Sequence, residues 1–229
     1  MASHVVNIGG VTASSGIAFS KIQKLAEKSP VRCADPKAEK QMIKKIDQIK
    51  ATKDTVGGVF EIQAKGLPPG LGSFTTRLTR MEARLSAAVM SIQAVKGVEF
   101  GLGFEVANTP GSQAHDEIFY QKGKFVRKTN RSGGLEGGMT TGDVLILRAS
   151  TKPYSTLMKP LSSVNIKTKK KEVATIERSD VTAVPACGVV AEAMVAFELA
   201  NVMLEKFGGD SFKEAYRNYQ QYLKQLKDF

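Results

Sequence analysis

Tryptophan is absent from this 229-residue chain, histidine and cysteine occur twice each, and aromatic residues make up only 7%. Each scarcity excludes something. With His4 and His115 as the only histidines, a histidine-based metal site is not expected. Cys33 and Cys187 lie far apart without metal-ligand spacing, which fits a reducing cytosol better than a disulfide framework. No unbroken run of about 18 apolar residues occurs, so no membrane span is expected. The opening MASHVVNIGG lacks a basic region followed by an apolar core, so no signal peptide is expected either, and the predicted location is cytoplasmic.

Charge of one sign is in excess, with a formal net charge of +11. Nucleic-acid binders cluster their basic residues and interleave aromatics for stacking. Here Lys and Arg are scattered, so nucleic acid is not the expected partner. A positive field that steers small multi-anionic substrates accounts for the charge as well. At 42% hydrophobic and 24% charged, the chain reads as an ordinary globular protein of one or two domains.

The most informative stretch is residues 130–156, NRSGGLEGGMTTGDVLILRASTKPYST. Paired glycines at 133–134 and 137–138 let backbone approach a flat or anionic ligand, because no Cβ intervenes. Val144, Leu145, Ile146 and Leu147 predict a buried strand. Lys152, Ser155 and Thr156 follow it and could offer one charge and two hydroxyls to a phosphate. A plain hairpin with a glycine tip and a Lys-Pro turn explains the same residues, since glycine loops without strict spacing are weak signals.

Along the rest of the chain, residues 3–11 predict a strand and 17–28 a helix. Asp35-Pro36 reads as the cap and first residue of a helix running to Lys50. Residues 56–65 predict a strand and 66–72 a stiff turn. A helix is expected over 76–94, burying Leu78, Met81, Leu85, Ala88, Val89 and Ile92, with a stop at Lys96-Gly97. His115, beside Asp116 and Glu117, reads as a solvated loop residue. The lysines at 167 and 169–171 predict the tip of a hairpin between 164–166 and 173–175. Arg178 and Asp180 are expected on one strand face, either as a surface ion pair or as an anion clamp beside a general base. A long apolar helix is expected over 189–207, and Ser211 with Glu214 forms a capping-box start for a last helix.

Six strings, GLPPGLG, AAVMSIQAVKGVEFGLGF, GSQAHDEI, TNRSGGLEGGMTTGD, KPYSTL and RSDVTAVPACGVVAEAMVAFELA, occur in the order and spacing of one family. The chain resembles chorismate synthase, in the subtype common in Gram-positive bacteria. The resemblance implies an α+β fold, a β-α-β sandwich with helices layered between antiparallel sheets, here incomplete, and a homo-oligomer, a tetramer in the family. It implies an anti-1,4-elimination of phosphate from 5-enolpyruvylshikimate 3-phosphate that requires reduced FMN. Flavin contacts would fall on Gln93, Ala94, Gly137, Lys152, Pro153, Tyr154, Ser155, Thr156 and Arg178, and the catalytic Asp would be Asp180. The family's opening Gly-Glu-Ser-His-Gly motif, its later His-Gly motif and its Gly-Arg-x-Ser-x-Arg-Glu-Thr motif have no counterpart, and neither histidine matches an active-site one. Residues 1–229 are therefore expected to be the C-terminal portion of a single such domain, with poor turnover on their own.

Overall fold

The computed structural model describes residues 1–178 and 180–228. Strand β1 (Ala2–Ile8) turns back into β2 (Val11–Thr12). The turn residues Gly9 and Gly10 sit at φ 57° and 86°, the twist that suits a two-residue hairpin. The single strand expected over 3–11 is thus a hairpin. Helix α1 (Phe19–Leu25) runs into a short 3-10 turn. Helix α2 (Pro36–Ala51) begins as expected, with Asp35 accepting from the amides of Lys37 at 2.9 Å and Ala38 at 3.3 Å.

After β3 (Gly58–Ala64), helix α3 covers only Met81–Met90. Leu78 lies outside it and is 74% exposed, contrary to the expectation of burial. Nor does Lys96-Gly97 stop a helix, because Val95 already opens β4 (Val95–Phe100). A 3-10 segment and the single turn α4 (Gly111–Ala114) lead to the ribbon β5 (Ile118–Gln121) and β6 (Lys124–Arg127). The short pair β7 (Leu135–Glu136) and β8 (Met139–Thr140) precedes β9 (Leu145–Thr151).

The lysine-tipped hairpin is present as β10 (Ser162–Val164) and β11 (Lys171–Val173). Its arms close earlier than expected because Asn165 Oδ1 accepts from the amides of Lys167 and Thr168 at 2.9 and 3.0 Å, starting the turn there. Helix α5 (Val184–Phe207) also starts earlier than expected, since Pro185 fits its first turn. By length and composition alone α5 could cross a bilayer, which a search for uninterrupted apolar residues does not detect. Val184, Cys187, Ala191, Val195, Leu199 and Val202 are nevertheless buried within the protein. Helix α6 (Phe212–Gln225) carries the expected capping box between Ser211 and Glu214.

Strands pair in the order β2-β1-β3-β9-β4, all antiparallel. Alternation sends Phe60, Ile62, Leu145, Leu147 and Ala149 into one core with the buried residues of α3 and α5. Phe60 is fully buried, a burial contributing about 1.5–3 kcal/mol. Arg84 on α3 fastens the helical layer, pairing with Glu198 and, through both terminal nitrogens, with Glu205.

The opposite sheet face carries a polar row. His4, Glu61, Arg148 and Glu99 stand opposite one another on β1, β3, β9 and β4. His4 Nε2 lies 3.5 Å from Glu61 Oε1, and Arg148 Nε 2.9 Å from Glu99 Oε1. Burial pushes the Glu61 carboxyl up, but hydrogen bonds from His4 and Gln63 and the charges of His4 and Arg148 outweigh it and leave it below its ordinary value.

Candidate functional site

Strand β9, between β3 and the edge strand β4, delivers the candidate residues. It enters from the glycine hairpin and leaves as the loop 152–156. At the entry, Gly137 and Gly138 form the two-residue turn between β7 and β8, at φ 60° and 87°. A Cβ on Gly137 would meet nothing within 4 Å, whereas one on Gly138 would lie 2.8 Å from Arg80 Cγ and 2.9 Å from the Ser73 carbonyl. Gly138 is thus needed for packing, while Gly137 leaves open space above its backbone.

At the exit, the amide of Lys152 donates to the carbonyl of Ala94 at 2.8 Å. Ala94 adopts φ 70°, a left-handed conformation that costs a non-glycine residue about 1–2 kcal/mol. The bond joins Gln93-Ala94 to the loop even though the two lie on separate elements. Lys152, Pro153 and Ser155 are exposed, and Tyr154 and Thr156 are half-buried. Burial first, then the negative charges of Asp180 and Cys187, raise the Tyr154 phenol pKa above its ordinary value. Residue 181 is tied to the same place, since the Val56 amide donates to the Val181 carbonyl and the adjacent Thr55 hydroxyl to the Tyr154 carbonyl, each at 2.8 Å. An ammonium and hydroxyls on such a loop are a donor set that can hold a phosphate.

Arg178 and Asp180 do not lie in the strand expected for them. Both are exposed, in irregular backbone beyond β11, and Ser179 between them lies outside the described residues. Among the described residues no strand pairs with Arg178 or Asp180, so alternation gives no reason for the two side chains to share a face.

The candidate residues thus fall into two groups at opposite ends of α3. At its start, the amide of Met81 donates to the carbonyl of Gly138 at 2.9 Å. At its end lie Ala94 and Lys152. The ten residues of α3 between them span about 15 Å. Gln93, Ala94 and Lys152–Thr156 come together, the backbone just after Asp180 is tied to the same loop through Thr55 and Val56, and Gly137 stands apart; no hydrogen bond or ion pair joins Arg178 to either group among the described residues.

His115 is exposed, as expected. Its neighbour Asp116 is buried and structural, accepting from the Thr129 and Ser132 hydroxyls and the Arg131 and Ser132 amides. Sequence reasoning missed the segment 54–58, which packs beneath the candidate loop. Its one sequence signal is the Gly57-Gly58 pair at the start of β3. A Cβ on Gly57 would lie 2.2 Å from the Thr151 carbonyl.

An antiparallel sheet against a helical layer, with a glycine turn and a Lys-Pro-x-Ser-Thr loop at the two ends of one helix, defines an α+β scaffold. The chorismate synthase family profile matches residues 1–204. Chorismate synthase of Geobacter metallireducens is 51% identical over 98% of this chain and 60% of its own length. For that of Syntrophotalea carbinolica the figures are 52%, 99% and 59%, and for chorismate synthase 2 of Bacillus cereus 48%, 100% and 60%. These identities are close together, so they single out no subtype. A chorismate synthase crystal structure superposes with a TM-score of 0.83 at 36% identity, covering 100% of this chain and 63% of that one. The chain belongs to the chorismate synthase family, and it spans about 60% of the length of the curated relatives it matches.

Proposed function

We propose that this chain binds reduced FMN and serves the family reaction, elimination of phosphate from 5-enolpyruvylshikimate 3-phosphate to give chorismate. The observation that supports this is the Ala94–Lys152 junction, a strained backbone contact that gathers a cation and hydroxyls on one exposed loop. Lys152, Ser155 and Thr156 hold the FMN phosphate, with Pro153 restricting the loop's backbone and Tyr154 packing beneath it. Gln93 and Ala94 border the same cofactor, and Gly137 lets backbone approach it. When bound, reduced FMN supplies the electron-rich ring the elimination requires, with no net redox change. Arg178 grips anionic oxygens, as a planar guanidinium does well. Asp180 takes up the proton released in the elimination, or maintains the cofactor's protonation state, through its carboxylate oxygens.

A second reading rests on exposure. Lys152, Arg178 and Asp180 all face solvent, where high dielectric weakens the electrostatic contribution that usually dominates such catalysis. On that reading the 229-residue chain binds flavin without turnover. One assay separates the two: phosphate and chorismate are measured anaerobically with reduced FMN, alongside FMN binding. Release that Asp180→Asn abolishes supports the first reading. Binding without release supports the second, and absence of both contradicts each.

A further inference from the structure

We infer that Thr55 and Val56 are positioning residues that hold the two halves of the proposed flavin site together, an inference that rests on the reading above. The loop 152–156 and residues Arg178, Asp180 and Val181 lie in irregular backbone, so no sheet ladder fixes them. Thr55 Oγ1 donates to the Tyr154 carbonyl at 2.8 Å. The next residue's amide, Val56 N, donates to the Val181 carbonyl, also at 2.8 Å. Two consecutive residues thus anchor the peptide ahead of Ser155 and the residue that follows Asp180.

The anchor is itself rooted. The amide of Asp54 donates to the Ile49 carbonyl in the last turn of α2 at 3.2 Å, and Asp54 Oδ1 accepts from the Thr55 amide at 2.9 Å. Val56 is buried in the main core. On the far side, Gly57 has no Cβ to stand between it and the backbone of 151–153, where a Cβ would lie 3.0 Å from Pro153 N. The segment 54–57 therefore links a helix end, the core and both halves of the site. Tilting the Tyr154 peptide would redirect the backbone that carries Ser155 and Thr156.

Thr55→Val keeps the side-chain shape and removes the donor, while Thr55→Ser keeps the donor. The test uses the 229-residue chain, FMN titration by fluorescence quenching, and backbone hydrogen exchange of the peptide covering 152–158. We expect Thr55→Val to weaken FMN binding about fivefold and to speed exchange in that peptide, with Thr55→Ser within about twofold of wild type in both. If FMN binds equally to wild type and Thr55→Val, the inference is overturned while the flavin reading stands. If Thr55→Ser behaves like Thr55→Val, the hydroxyl is not the anchor and the inference is likewise overturned. If wild type binds no FMN, the flavin reading fails and exchange decides alone: faster exchange in Thr55→Val, reversed in Thr55→Ser, upholds the clamp, and unchanged exchange overturns it.

Discussion

Lys152 and Ala94 meet through one backbone hydrogen bond of 2.8 Å, and Ala94 makes it from a left-handed conformation at φ 70°. A residue with a Cβ is strained there, whereas glycine is not. Ala94→Gly should therefore leave stability unchanged or raise it by up to about 1 kcal/mol. Ala94→Val, β-branched, should lower it by more than about 1 kcal/mol. Urea denaturation of the two variants checks this, and equal midpoints would mean the strain is not there.

The glycines at 57 and 137 make opposite demands. A Cβ at Gly57 would sit 2.2 Å from a backbone oxygen, but one at Gly137 would meet nothing within 4 Å. Gly57→Ala should cost about 3 kcal/mol or more, because β3 and the loop after β9 must separate. Gly137→Ala should cost only about 1–2 kcal/mol, from its positive φ. If flavin approaches the Gly137 backbone, that variant should lose FMN affinity while keeping most of its stability. Thermal melts with and without FMN read both effects.

Acid should unfold the protein through named carboxylates. Hydrogen bonds from the Ser14 hydroxyl and amide hold Asp35 well below its ordinary value. Asp116 is also lowered: burial raises it, and the Arg131 and Ser132 amides with the Thr129 and Ser132 hydroxyls outweigh that. Glu61 shifts the same way. Each folded-state value lies below the unfolded one, so the unfolded state binds more protons as pH falls. The stabilisation is complete above about pH 4–5 and is lost progressively below it. Melting temperature should be level from pH 7 to about 5 and then fall. Asp116→Asn should be about 2 kcal/mol less stable at pH 7, so that it melts lower, and its melting temperature should fall less steeply in acid.

Local chemistry made several elements legible in the sequence. Asp35-Pro36 and the Ser211–Glu214 pair cap their helices through contacts two or three residues long. The apolar run at 144–147 marked β9, although the strand extends to Thr151 because Arg148 and Ser150 point to the polar face. Other features were hidden for physical reasons. The β5–β6 ribbon leaves Ile118, Tyr120 and Phe125 exposed, so no buried face imprints a pattern on it. Arg178 and Asp180 were expected on a strand, but among the described residues no partner strand pairs with them. The bond between Thr55 and Tyr154 joins residues 99 positions apart, and only the folded sheet brings them together. Much of the candidate site was named through family resemblance, and its grouping about α3 required the structure.

The central claim is that Lys152 and its neighbouring hydroxyls hold a flavin through its phosphate. Comparing FMN with riboflavin, which lacks the phosphate, tests that contact directly. Titrated into the 229-residue chain, FMN should bind at least about tenfold more tightly than riboflavin, as a charge-assisted contact of about 1.5–3 kcal/mol requires. Lys152→Ala should remove most of that preference while changing riboflavin affinity little. Equal affinity for the two ligands in wild type, or a preference that survives Lys152→Ala, would contradict the account.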